Sequence, residues 1–255
     1  IALIYSFFSL DRKELLQGKY WNPKVNKDIL SYALNFYSIG VIAHIQELSI
    51  RTISAFFLST SQVAFYSLGE GAGRILSKIP EALTTILYPR ISRLEKNSEV
   101  IDLSCRAFRA TLIILIFIGI VLSLIAKPLV VFLYGIEFEL SAVVVVIAIP
   151  GIVIGSSALT LKSFFEGSGK ASIIPKVQIM PVILQIGIAY FLISLYGFIG
   201  AAISFSTGFL LYGLAVLIAF LKISKVSFYK LIPRVQDFKL LYNLLLERFL
   251  GKNNS

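Results

Sequence analysis

Charged side chains in two otherwise apolar stretches are the residues of this chain best placed to do chemistry. His44, Glu47 and Arg51 are spaced three and four apart, and Glu70, Arg74 and Lys78 four and four, with Glu81 three further on. Such spacings put each set on one face of a helix. A charge facing lipid at mid-depth costs a few kcal/mol or more, so such faces turn toward a bundle interior or a watered cavity. Two adjacent helices with polar stripes therefore predict a polar cavity between them. Arginine forks onto carboxylate or phosphate oxygens and lysine acts as a point charge. Arg51, Arg74 and Lys78 thus suit an anionic substrate group, a diphosphate being the natural candidate. Glu47 would orient Arg51 or exchange partners with the anion. The plainer alternative is that Glu47–Arg51 and Glu70–Arg74 neutralise each other within their own helices. His44 is the single histidine, a packed or solvated residue in the plain reading and a proton relay in the functional one.

Other chemistries find little to work with. Gly69-Glu70-Gly71-Ala72-Gly73 looks like a phosphate loop, but no strand precedes it and the dinucleotide spacing is absent. Glu166-Gly167-Ser168-Gly169-Lys170 lacks the first glycine and the closing Ser or Thr of a nucleotide loop. With one His and one Cys there is no Cys/His cluster for a transition metal and no nucleophile–base triad. No cofactor is expected, and no enzymatic activity.

The elements that must hold these residues follow from composition. The chain is 57% hydrophobic and 15% charged, with a mean hydropathy of +0.84, against about 25% charged in a soluble domain. The apolar residues come in blocks. No Asp, Glu, Lys or Arg occurs from Ile29 to Gln46, Thr52 to Gly69, Ala110 to Ala126, Leu140 to Leu161, or Val177 to Leu221. A helix crosses a bilayer with about 20 apolar residues, so the last block holds two crossings, broken at Tyr196-Gly197. Runs such as Leu112 to Ile118 do not alternate, which excludes a membrane barrel. The fold class is all-α, a polytopic transmembrane bundle. Six spans are predicted at 29–57, 63–89, 108–134, 140–162, 173–195 and 198–221, as a lobe covering 29–222.

Basic residues test that count. All but Arg51, Arg74, Lys78 and Lys127 of the 24 Lys and Arg residues fall on alternate connections or the tail, as the positive-inside rule requires of cytoplasmic loops. Both ends of the lobe are then cytoplasmic. The net charge of +10 reads as a topology signal and a contact for anionic membrane lipid, with no nucleic-acid partner. Lys127 snorkels at the outer end of its span. Pro128, Pro150 and Pro181 are expected to kink their helices, tolerated where neighbours re-satisfy the backbone. The small residues Gly197, Gly200, Ala201 and Ala202 permit close packing. The apolar run 1–10 is expected to end a preceding helix, so that 1–28 joins this lobe to an upstream one. In the tail, 223–255, Phe238, Leu241, Leu244, Leu245 and Phe249 fall at helical spacing for a surface-lying amphipathic helix.

Local sequence adds a resemblance. Val63-Ala64-Phe65-Tyr66-Ser67, then Tyr88-Pro89-Arg90-Ile91-Ser92-Arg93-Leu94, Leu133-Tyr134-Gly135 with Phe138, Phe165 to Lys170, and Tyr196-Gly197-Phe198-Ile199-Gly200-Ala201-Ala202-Ile203 resemble, in order, stretches of Wzx-type exporters. These belong to the multidrug/oligosaccharidyl-lipid/polysaccharide flippase superfamily. The resemblance implies a MATE-like transporter of two lobes, this being the second, in a bacterial or archaeal inner membrane. It implies transfer of an isoprenoid-diphosphate-linked oligosaccharide between leaflets for polysaccharide biosynthesis, such as that of O-antigen and lipopolysaccharide. The diphosphate would be held by basic residues on the first helices of each lobe, here Arg51 and Arg74. The competing readings are a sister exporter for peptidoglycan precursor or drugs, a membrane glycan polymerase or glycosyltransferase, and a non-transporting interaction protein.

Overall fold

The computed structural model describes residues 23–234 and Asp237. Among these residues all regular structure is helical: α1 (Pro23–Phe57), α2 (Thr60–Arg74), a 3-10 turn (Ile75–Ser77), α3 (Lys78–Ser92), α4 (Asn97–Tyr134), α5 (Ser141–Gly167) and α6 (Ile173–Ser224). The incomplete helix expected at 1–10 and the amphipathic helix expected after Val235 lie outside the described residues, apart from Asp237.

Local sequence sets the boundaries. Ser59 caps α2 with a capping box: its hydroxyl accepts from the Gln62 backbone N–H, and the Gln62 side chain accepts from the Ser59 N–H. The α2–α3 rod narrows to a 3-10 turn before Pro80, which has no N–H to offer Leu76 and whose ring crowds that carbonyl. Gly135, at φ 94°, ends α4. Pro128, Pro150 and Pro181 lie inside α4, α5 and α6, which continue past them.

α6 is a hairpin. Gly197 takes φ 61° and ψ −138° in its middle, a region essentially reserved for glycine. Eight residues of unbroken helix rise about 12 Å, yet Gly200 lies against the Leu192 carbonyl, and Gly208 against the Gln185 side chain. The chain therefore turns back at Gly197, at the break expected from sequence.

α5 lies at the centre, packed by α4, α6, α3 and α2, while α1 leans mainly on α6. The most apolar stretch of α5 is 67% buried, against 28% for α4 and 22% for α6. Gly155 sits against the backbone of Phe209 and close to Gly213, so α5 and the second arm of α6 approach backbone to backbone. One core cluster, around Tyr66, Leu115, Ile149, Ile152, Ile193 and Phe205, lies toward the Gly197 end. A second, around Ile91, Phe108, Leu161, Phe164, Phe220 and Leu231, lies toward the other end. The outer faces stay apolar: Phe117, Leu124, Phe132, Tyr190 and Phe191 are exposed.

Three helices, α4, α5 and α6, are long and apolar enough to cross a membrane, which makes this a multi-pass membrane protein. Helices cover the expected stretches, but α1 begins at Pro23, the stretch 63–89 divides into α2 and α3 at the 3-10 turn, and α5 runs on to Gly167. α4 begins at Asn97 rather than near 108. The basic residues of that stretch were read as a loop, but Val100, Ile101, Ser104, Cys105 and Phe108 recur at helical spacing and are buried.

Candidate functional site

α1 and α2 bring their charged faces together. Arg51 lies 3.0 Å from Glu47 on its own helix and 3.6 Å from Glu70 on α2. Arg74 lies 2.7 Å from Glu70 on its own helix and 3.6 Å from Glu47 on α1. The four side chains form a closed ring of alternating charge, short along each helix and longer across. The intrahelical pairs of the plainer reading form, and they are also cross-linked between the two helices.

Burial is uneven around the ring. The Glu70 side chain is 1% exposed, Glu47 and Arg74 are each 29% exposed, and Arg51 is 50% exposed. Taking a carboxylate out of water costs several kcal/mol even after relaxation, and the two arginines offset that for Glu70. Its Oε1 accepts from Arg74 Nε at 2.8 Å. Its Oε2 has no hydrogen-bond partner among the described residues, Arg51 Nε standing off at 3.6 Å. The Arg74 guanidinium also lies 5.1 Å from the Phe205 ring centre, a cation–π contact that fixes its orientation.

The ring stands on the wall of a cavity of about 330 Å³. His44, Glu47, Glu70 and Arg74 line it. Arg51 does not; it borders a shallow neighbouring cleft with Thr52, Ala55 and Phe56. Lys78 lines neither, but it lies 2.8 Å from Glu81, which does line the cavity.

The cavity is wider than the space between α1 and α2, because α1 leans on α6. Gln178 and Gln185 of α6 and Lys162 of α5 also line it, with Phe205, Phe209 and Tyr212 from the second arm of α6. Gln46 donates to Gln185 Oε1 at 2.6 Å, tying α1 to α6. Lys162 lies 3.3 Å from Glu166, one turn on. The cavity expected between two helices is thus also walled by α5 and α6. Lys162 was counted with the connection that follows, but α5 runs on to Gly167. Gln178 and Gln185 carry no charge, yet their seven-residue spacing on an apolar helix was a legible polar face.

Chemically, the ring offers two guanidinia, one of them on the cavity wall, whose charge is already balanced by carboxylates. An entering anion has to take Arg51 or Arg74 from a glutamate, and Arg51, half exposed, is the easier to take.

A family described as "Polysaccharide biosynthesis protein" matches residues 1–144. That range covers α1 to α4 and the opening of α5, hence the whole charge ring. It stops short of the Phe165 to Lys170 and Tyr196 to Ile203 stretches. No curated protein and no solved structure matches the chain. The match spans more than half of the sequence and agrees with the bundle of apolar helices. The chain belongs to the polysaccharide biosynthesis protein family.

Proposed function

We propose that the chain is the second, six-span lobe of a Wzx-type flippase, which moves an isoprenoid-diphosphate-linked oligosaccharide across the cytoplasmic membrane by alternating access. The observation that carries this reading is the ring of Glu47, Arg51, Glu70 and Arg74 on the wall of a polar cavity, in a bundle whose outer surface is apolar. The sugar head would cross beside His44, Lys162, Gln178 and Gln185 while the isoprenoid stays in lipid. The diphosphate would displace Glu47 from Arg51 and then engage Arg74. When the lobes rock outward, the freed glutamates recapture the arginines and help expel the anion. The spans would be α1, the α2–α3 rod, α4, α5 and the two arms of α6, with both ends cytoplasmic and lobe boundaries at 29–222. The lobe upstream would supply the facing half of the cavity, and the membrane lipids would seal the outer faces.

Charge removal tests the site. Arg51→Ala and Arg74→Ala, at matched membrane levels, are each expected to reduce export of the lipid-linked glycan about tenfold or more, since a charge-assisted contact contributes about 1.5–3 kcal/mol. Full export by both variants would refute the assignment.

A sister exporter for organic cations is favoured by one observation: Glu70, buried and with no hydrogen bond to its Oε2 among the described residues, lines the same cavity as Phe205, Phe209 and Tyr212. Competition between a labelled lipid-linked glycan and a cationic drug panel separates the two. Displacement by drugs alone supports the sister reading.

A further inference from the structure

A second polar cleft, of about 440 Å³, lies at the opposite end of the bundle from Gly197, between the first turns of α4 and the segment after α6. Its charged lining is Asp102, Arg106, Arg109, Lys230, Arg234 and Asp237. Arg109 holds it together. Its Nε and Nη2 donate to the Asp237 carboxylate at 2.7 and 3.0 Å, and its Nη1 donates to the Lys230 carbonyl at 2.6 Å. The residue is 8% exposed. Arg109 is therefore a positioning residue, and Leu231, 2% exposed and packed in the second core cluster, pins the same segment from its apolar side.

The clamp leaves cations over. Lys230 lies 3.6 Å from Asp102, and Asp237 is taken by Arg109 and by the Arg234 backbone N–H at 2.8 Å. Both carboxylates of the cleft are engaged. Among the described residues no carboxylate lies within ion-pair distance of the Arg106 or Arg234 side chain. Two open guanidinia beside engaged acids suit an anion with several oxygens, and phosphate fits the arginine fork.

The neighbouring side chains select the source of that phosphate. Phe228, Tyr229 and Ile232, on the same short segment, are 54%, 78% and 41% exposed. Exposed aromatic and aliphatic groups beside basic ones belong to the membrane–water interface, where rings enter the acyl boundary and cations stay with the headgroups. We propose that this cleft binds the phosphate of an anionic phospholipid, with Arg106 and Arg234 as its ligands, and so docks the end of α6 on the membrane surface. This site is separate from the transport cavity and does not depend on how that cavity is used.

Native mass spectrometry of the purified full chain, incubated with phosphatidylglycerol, phosphatidylcholine or inorganic phosphate, tests it. The expected result is preferential retention of phosphatidylglycerol, without competition from inorganic phosphate. Arg106→Gln with Arg234→Gln should weaken that retention roughly ten- to thirtyfold, the loss of two surface charge contacts. Both side chains are exposed, so folding is not at stake, and the paired lysine variant should keep part of the retention. Arg90→Gln with Arg93→Gln removes two exposed cations elsewhere and should change retention less than threefold. Unchanged retention in the Arg106/Arg234 variant, an equal loss in the Arg90/Arg93 variant, or displacement by inorganic phosphate would overturn the proposal.

Discussion

Glu70 is the residue on which the charge ring turns. It is almost fully buried, and its shortest ion pair among the described residues is with Arg74, one turn along α2. Removing one partner of a buried pair costs about 3–5 kcal/mol because a charge is stranded. Arg74→Ala should therefore lower the thermal unfolding midpoint clearly more than Arg51→Ala, whose partner distances are longer and whose side chain is half exposed. Adding Glu70→Gln to Arg74→Ala should recover part of the loss. Equal midpoints for the two single variants would mean that the ring contributes little to stability. Asp237 makes a second residue-scale prediction. Burial pushes its carboxyl up, but the hydrogen bonds from Arg109 and from the Arg234 backbone, with both guanidinium charges, outweigh that and hold it below the usual carboxylate value. A group with a lowered folded pKa stabilises fully above its ordinary value, about 3.9 for Asp, and loses that contribution as pH falls through the folded value. The segment after α6 should thus stay protected from proteolysis at and above neutral pH and come loose only in strong acid. Asp237→Asn should expose it at neutral pH.

At the scale of elements, Gly197 decides whether the last apolar block folds as one rod or two. Its backbone geometry excludes side chains, so Gly197→Ala should cost about 1–3 kcal/mol and lower the unfolding midpoint. A variant as stable as the parent would contradict the turn. This break was legible in the sequence, because an uncharged run from Val177 to Leu221 is too long for one crossing. So were the polar faces of α1 and α2, since charges in apolar stretches stand out. Less legible was α4, where Arg106 and Arg109 made a helical stretch look like a loop. Arg109 in fact turns inward onto Asp237, a contact between residues 128 positions apart that periodicity does not reveal. The α5 and α6 walls of the cavity escaped for a related reason. Gln178 and Gln185 are uncharged, and only the lean of α1 onto α6, fixed by Gln46 and Gln185, turns them into a lining.

For the whole molecule, the claim that organises everything else is a division of surfaces: a wet interior wall where charges sit, and an outer face given to lipid. α5 supplies the packed centre, α4 and α6 the lipid-facing surface, and α1 and α2 the charge ring. This division also explains how a chain with so many apolar residues keeps a buried glutamate: the arginines that balance Glu70 are the groups a diphosphate would recruit, so the stability of the resting state and the capture of substrate draw on the same side chains.

Cysteine accessibility in membranes measures that division directly. In a Cys105→Ser background, single cysteines at Ala43, His44 and Glu47, which line the cavity and are not buried, should react with a membrane-impermeant thiol reagent, and lipid-linked glycan should protect them. Cysteines at Phe117, Leu124 and Phe191 should stay unreactive with or without substrate. Labelling at the second set and none at the first would contradict the account.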